Sequence, residues 1–181
     1  MRRVVLYQLL SLDGVAEEPG DWMFDIDQDV FDNLGNIIAT QDAILLGRNT
    51  YDYWVDFWPT SDVEPFASFI NNTQKHVFTS RDLTGEWPNT TVVKEHAVDY
   101  VTSLKKGDGG DLGIHGSIAL ARSLLHAGLV DEIRLVVSPT IANSGRRLFG
   151  DADGKPRRLD LVDSRRTPSG LLLLTYQNHG R

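Results

Sequence analysis

Short apolar runs alternate along the chain with segments whose apolar residues recur every three or four positions, the pattern of strands interleaved with helices. "VVLYQLL" (4–10) predicts a buried first strand. The loop "SLDGVAEEPGDW" follows, with turn chemistry at Asp13-Gly14 and Pro19-Gly20. Val30, Phe31, Leu34, Ile37 and Ile38 fall at helical spacing and predict a helix from about 27 to 40. "DAILLG" (42–47) reads as a buried strand, "FASFIN" (66–71) as a helix, and "KHVFTS" (75–80) and "TTVVKE" (90–95) as strands. "HAVDYVTSLKK" (96–106) is helical in pattern and "DLGIHG" (111–116) is a short strand. Ser117 is placed to cap the helix "IALARSLLHA" (118–127), which Gly128 closes. "DEIRLVVSPTI" (131–141) is a strand, and the tail "RRLDLVDSRRT-PSG-LLLLTYQNH" predicts two strands joined through a Pro-Ser-Gly turn. The expected architecture is α/β, with a mostly parallel sheet and an antiparallel edge.

The 181 residues suit one domain, 1–181, with no internal repeat, and the flexible "KKGDGGD" (105–111) is too short to separate two. A net charge of −7 without a lysine-rich block argues against nonspecific binding to nucleic acid or anionic membranes. With no cysteine, neither a disulfide nor a thiolate metal site can form. The start "MRRVVLYQLLSLDG" has an apolar run too short and too broken for a signal peptide, so it reads as the first strand. No segment approaches the about 18 apolar residues of a membrane span. The cytoplasm is the simplest compartment.

Ligands of such sheets bind beyond the carboxyl ends of the strands, which makes three strand exits informative. The first is Gly47-Arg48-Asn49-Thr50, where a glycine allows close backbone approach, Arg48 offers a charge-assisted bond and Thr50 a hydroxyl. A tight turn with a surface arginine fits these residues equally well. The second is Ser80-Arg81, a hydroxyl and a planar cation suited to a phosphate monoester, although a surface turn next to Asp82 is the commoner use. The third, His115-Gly116-Ser117, opens a helix whose N-terminus carries positive potential. Among the acids, Asp27 shares a helical face with Val30, Phe31 and Leu34, so it is either an N-cap or a carboxylate facing a cleft. Trp22, Phe24, Trp54, Phe57 and Trp58 are candidates for a pocket wall or for core. No HExxH motif occurs and the histidines at 76, 96, 115, 126 and 179 show no ligand spacing, so no metal is expected. Nor is there a G-x-S-x-G elbow.

Together, "SLDG" (11–14), "DAILLGRNTY" (42–51), "FTSRD" (78–82), "HGSIALARSLLHAGLVDEIRL" (115–135) and "SGRRLFG" (144–150) resemble the dihydrofolate reductase-like superfamily. The nearer likeness is to the reductase domain of bacterial riboflavin biosynthesis and its stand-alone relatives. This resemblance implies a three-layer sandwich with a mostly parallel central sheet and an antiparallel C-terminal hairpin. It also implies an NADPH-dependent reductase acting on a small heterocyclic or imine-like substrate. By position, Gly47, Arg48 and Thr50 would hold the pyrophosphate side of NADPH, Ser80 and Arg81 its 2′-phosphate, and Gly116 and Ser117, beside His115, the pyrophosphate and nicotinamide ribose. Two positions depart from the riboflavin pattern: Tyr7 stands where those reductases carry a lysine, and His115 where they tend to carry an acid. Proton delivery is expected from Asp27, the approximate counterpart of the helix carboxylate of dihydrofolate reductases, or from water organised by Asp13. The alternatives are a dihydrofolate or pteridine reductase and an NADPH-binding protein without turnover. The riboflavin branch pairs its reductase domains, and "LLLLT" (171–175) places leucines on both faces of a strand, so a homodimer is expected.

Overall fold

The computed structural model describes residues 1–150 and 156–178. One sheet of eight strands organises them: β1 (Val4–Leu10), β2 (Gln41–Gly47), β3 (Gln74–Phe78), β4 (Thr90–Val93), β5 (Asp111–His115), β6 (Glu132–Val137), β7 (Leu159–Arg166) and β8 (Leu172–Asn178). Their spatial order is β4-β3-β2-β5-β1-β6-β8-β7. The first six run parallel; β8 lies antiparallel to β6, and β7 antiparallel to β8. The helices are α1 (Gln28–Ile38), α2 (Arg48–Trp54), α3 (Phe66–Asn72), α4 (Ala97–Leu104) and α5 (Ile118–His126).

Alternation along the central strands builds three layers, because successive side chains point to opposite faces. Val4 and Leu6 of β1 and Ala43 and Leu45 of β2 pack with Val101 of α4 and Leu120, Ala121 and Leu124 of α5. Val5 and Tyr7 face the other way, toward Val30 and Ile37 of α1. Ile44 and Leu46 join that second face, under Tyr51 of α2 and Phe66 and Ile70 of α3. The near-continuous burial of β1, β2 and β5 is what a parallel sheet covered on both faces demands.

The predicted elements occur in the predicted order, with α2 an added helix between the second strand and the helix at 66–71, and with differences at the ends. Helix α1 starts at Gln28, one residue after Asp27, because Asp27 keeps an extended backbone. The helix α2 follows directly on β2, so the apolar run 43–46 ends in a strand-to-helix turn at Gly47. Strand β6 stops at Val137, two residues before Pro139 cuts off the ladder. Gly128, at φ 68°, closes α5 as expected. Ser117 does not cap α5 with its side chain; its hydroxyl is engaged elsewhere.

Candidate functional site

The exits of β3, β2 and β5 lie side by side at one end of the sheet, since these three strands are consecutive in the order. Gly47 pairs with Phe78, and Leu45 with Ile114, so the exits are level within a residue or two. Beyond them, across the end of β1, opens a cleft of about 920 Å³. Its lining includes Gly47, Arg48, Thr50, His115, Gly116 and Ser117, six of the residues singled out from the sequence.

Local contacts fix several of these six in place. The Ser117 hydroxyl accepts a hydrogen bond from the Gly47 N–H at 3.0 Å, tying the end of β2 to the start of α5. Gly116 sits at φ 71°, and a Cβ there would lie 3.0 Å from Cζ2 of Trp54 and 3.7 Å from the Thr50 methyl. Only glycine meets both conditions without strain. The first turn of α5, residues 118–120, also faces the cleft and brings the positive end of that helix to it. Arg48 donates from Nε to Asp52 at 2.5 Å, and Asp52 in turn accepts from Thr84 at 2.8 Å. This leaves Arg48 Nη1 buried and without a hydrogen-bond partner among the described residues. A fixed cation with a spare donor, beside a glycine turn and a helix N-terminus, is a site for an anion.

His115 is buried on the cleft wall, its Nε2 2.9 Å from Oε1 of Gln41. Burial pulls its pKa down to about 3, so the ring is neutral at physiological pH. Gln41 reaches it across Gly113, where a Cβ would fall 2.0 Å from Gln41 Oε1. The wall continues through ring contacts: Tyr7 to His115 at 5.6 Å, His115 to Phe66 at 5.1 Å and Phe66 to Trp58 at 4.8 Å. Trp54 and Phe57 extend it. Of the aromatic candidates, Trp54, Phe57 and Trp58 line the cleft, whereas Trp22 is core beneath α1 and Phe24 is exposed away from it. Gln41 and Phe66 were not signalled as site residues by any local motif, and Tyr7 was marked only as a departure from the riboflavin pattern. For Gln41 the only clue is a polar residue opening an apolar strand.

Neither expected proton carrier lies on the cleft. Asp27 accepts from the Ser169 hydroxyl and, at 3.2 Å, from the Ser169 N–H; hydrogen bonds from Ser169 and Thr167 hold its carboxyl below the ordinary range. The helical wheel placed Asp27 on the inward face, but it precedes the helix, so the wheel does not apply. Asp13 accepts from Ser11 Oγ at 2.7 Å and from the N–H groups of Ala142 and Asn143 at 2.9 and 3.1 Å. The Ser11 bond first, then these backbone bonds, lower its pKa to about 2. Asp13 is a clamp between two loops. Ser80 and Arg81 are exposed just past β3, outside the lining, where the Arg81 N–H donates to Thr79 Oγ1 at 3.0 Å. They stand at the rim next to Phe78, which does line the cleft. Among the described residues no cluster of three or more His, Asp or Glu is placed to hold a metal ion; His179 lies outside them.

Residues 2–173 match the RibD C-terminal domain family. The chain belongs to that family. Its fold is dihydrofolate reductase-like, and reductases of the family use NAD(P)H. The chain is 29% identical to YyaP of Bacillus subtilis (strain 168), described as uncharacterized, over 188 residues covering 99% of this chain and 96% of YyaP. Among solved structures, it is similar to a Shewanella sp. PV-4 protein provisionally ascribed to riboflavin biosynthesis. That match has a TM-score of 0.78 at 20% identity, covering 97% of this chain and 98% of that one. It also matches the Thermotoga maritima diaminohydroxyphosphoribosylaminopyrimidine deaminase/5-amino-6-(5-phosphoribosylamino)uracil reductase, with a TM-score of 0.68 at 16% identity. There it covers 98% of this chain but 56% of the other. Among the described residues, no helix is long and apolar enough to cross a membrane.

Proposed function

We propose that this chain is an NADPH-dependent reductase of the riboflavin-biosynthesis type, transferring hydride to a small heterocyclic or imine-like substrate. The observation that carries the reading is Arg48, a lining residue of the cleft beside the Gly47 and Gly116 turns, whose buried Nη1 has no hydrogen-bond partner among the described residues. Gly47, Arg48 and Thr50, with Gly116, Ser117 and the first turn of α5, hold the pyrophosphate. Ser80 and Arg81, at the β3 rim, meet the 2′-phosphate. Bound there, NADPH supplies the hydride. The chain's own part is to orient and to exclude water: the aromatic wall from Tyr7 to Trp58 gives the reacting rings an apolar face, and neutral His115, fixed by Gln41, adds no charge to it. With Asp27 and Asp13 held anionic away from the cleft, the accompanying proton comes from water.

The test is calorimetric titration with NADPH and NADH, followed by NADPH oxidation over a panel of pyrimidines and pterins. Saturable NADPH binding with turnover supports the reading; tight binding with no turnover across the panel marks a cofactor-binding protein instead. A homodimer belongs to the same proposal. Leu171 and Leu173 are buried against the α1 face and Leu174 packs on the other, so the run 171–175 is largely covered by its own chain. What favours a second copy is the edge strand β7, where Leu161 and Val162 are 55% and 54% exposed.

A further inference from the structure

Arg48 is not the only residue of the cleft lining with an unused polar atom. Tyr7 Oη and Trp58 Nε1 are also buried and make no hydrogen bond among the described residues. Tyr7 is 6% exposed as a whole residue, and burial raises its phenol well above the ordinary range, so it stays a donor. A buried donor left unpaired is costly to fold around. Tyr7 and Trp58 stand at the first and last rings of one continuous series, Tyr7–His115–Phe66–Trp58. Both donors therefore belong to one run of mutually tilted aromatic rings on the cleft wall.

The charge around that wall decides what it can accept. Among the described residues the cleft lining holds no lysine, and its two cations are Arg48 and Arg146. Arg48 is tied to Asp52 at the cofactor end. Arg146 shares the lining with Glu17, Glu18 and Glu64, and its own N–H donates to Glu17. A phosphate dianion seated at the rings would meet more carboxylates than free cations, in an environment where desolvation is penalised.

We propose that this wall is the substrate subsite, and that it takes an uncharged planar heterocycle whose carbonyl oxygens accept from Tyr7 Oη and Trp58 Nε1, in preference to the same ring carrying a phosphate. The inference rests on the reductase reading, so its test separates the two. Riboflavin and riboflavin 5′-phosphate share one planar dicarbonyl ring and differ only in the phosphate. Each is titrated into the full chain saturated with NADP⁺, which cannot reduce them, and binding is read from quenching of the flavin's own fluorescence. Riboflavin is expected to bind at least tenfold more tightly than its phosphate. Tyr7→Phe, which keeps the ring and removes the O–H, and Trp58→Phe, which keeps an aromatic face and removes the N–H, should each weaken riboflavin about fivefold while leaving NADP⁺ affinity unchanged. Tyr7→Lys, if folded, should narrow the gap between the two flavins. Equal or tighter binding of the phosphate, or no saturable binding of either flavin, overturns the proposal. Failure of NADP⁺ to bind would overturn the cofactor reading alone, and the same flavin titration without cofactor would still decide the subsite.

Discussion

Replacing Gly116 with alanine probes the turn on which the whole cofactor end depends. Its φ of 71° is left-handed, and an L-residue held there loses about 1–2 kcal/mol. The added Cβ would also sit 3.0 Å from Trp54 Cζ2, a tight contact that the ring relieves only by moving a few tenths of an ångström. Trp54 packs edge-on against Trp58 and Phe66 at 5.8 and 5.7 Å, so that movement propagates into the wall. For a chain of this length, 1 kcal/mol corresponds to roughly 2–4 °C in Tm, which gives an expected drop of about 2–8 °C. Differential scanning calorimetry measures it, and NADPH titration of the same variant should show weakened affinity. A Tm within 1 °C of the parent (about 0.3–0.5 kcal/mol on that scale) together with unchanged NADPH binding would refute both the strain argument and the role of this turn.

Other consequences are as direct. Arg81→Ala should weaken NADPH by roughly 10–100-fold and barely change NADH, since a charge-assisted bond contributes about 1.5–3 kcal/mol; equal losses for both cofactors would place Arg81 elsewhere. Asp27→Asn should leave single-turnover reduction unchanged, and a large loss would return Asp27 to the chemistry. His115 has a folded pKa of about 3 against an ordinary 6.5, so the unfolded chain binds the extra proton between those values. Its stability contribution is whole above pH 6.5 and falls by up to about 1.4 kcal/mol per pH unit below it, a slope that denaturant melts of His115→Gln should lack. Asp13, lowered to about 2, stabilises the fold above pH 3.8 and loses that contribution as pH falls toward 2; melts of Asp13→Asn should fall less steeply than the parent's over that window. Light scattering at micromolar concentration should report about twice the 20.2 kDa chain, and a concentration-independent monomer would exclude the β7 contact as a dimer interface.

Much of the fold was legible because buried parallel strands leave continuous apolar runs and helices leave a 3.6-residue rhythm. "AILL" before Gly47 and "LGI" before His115 are such runs, and each ends where the cleft begins. The side-chain partners were not legible, because they are set by contacts between residues far apart in sequence. Asp27 looked inward on a helical wheel, yet its carboxylate is held by Ser169, 142 positions away. Ser117 looked like a cap, but the neighbouring strand exit claims its hydroxyl through Gly47. His115 gained its meaning only when the fold brought Gln41 across Gly113 to meet it. The aromatic wall joins β1, β5, α2, α3 and the turn at Trp58, and no local pattern distinguishes such residues from ordinary core.

The account's central claim is that the cleft over the β3, β2 and β5 exits holds NADPH through Arg48. Calorimetric titration of the parent chain and Arg48→Met with NADPH tests it most directly, with Asp52→Asn as the control that breaks the ion pair but keeps the guanidinium. The predicted result is one saturable site per chain, weakened roughly 10–100-fold by Arg48→Met and far less by Asp52→Asn. No saturable binding by the parent, or equal affinity in the parent and Arg48→Met, would contradict it.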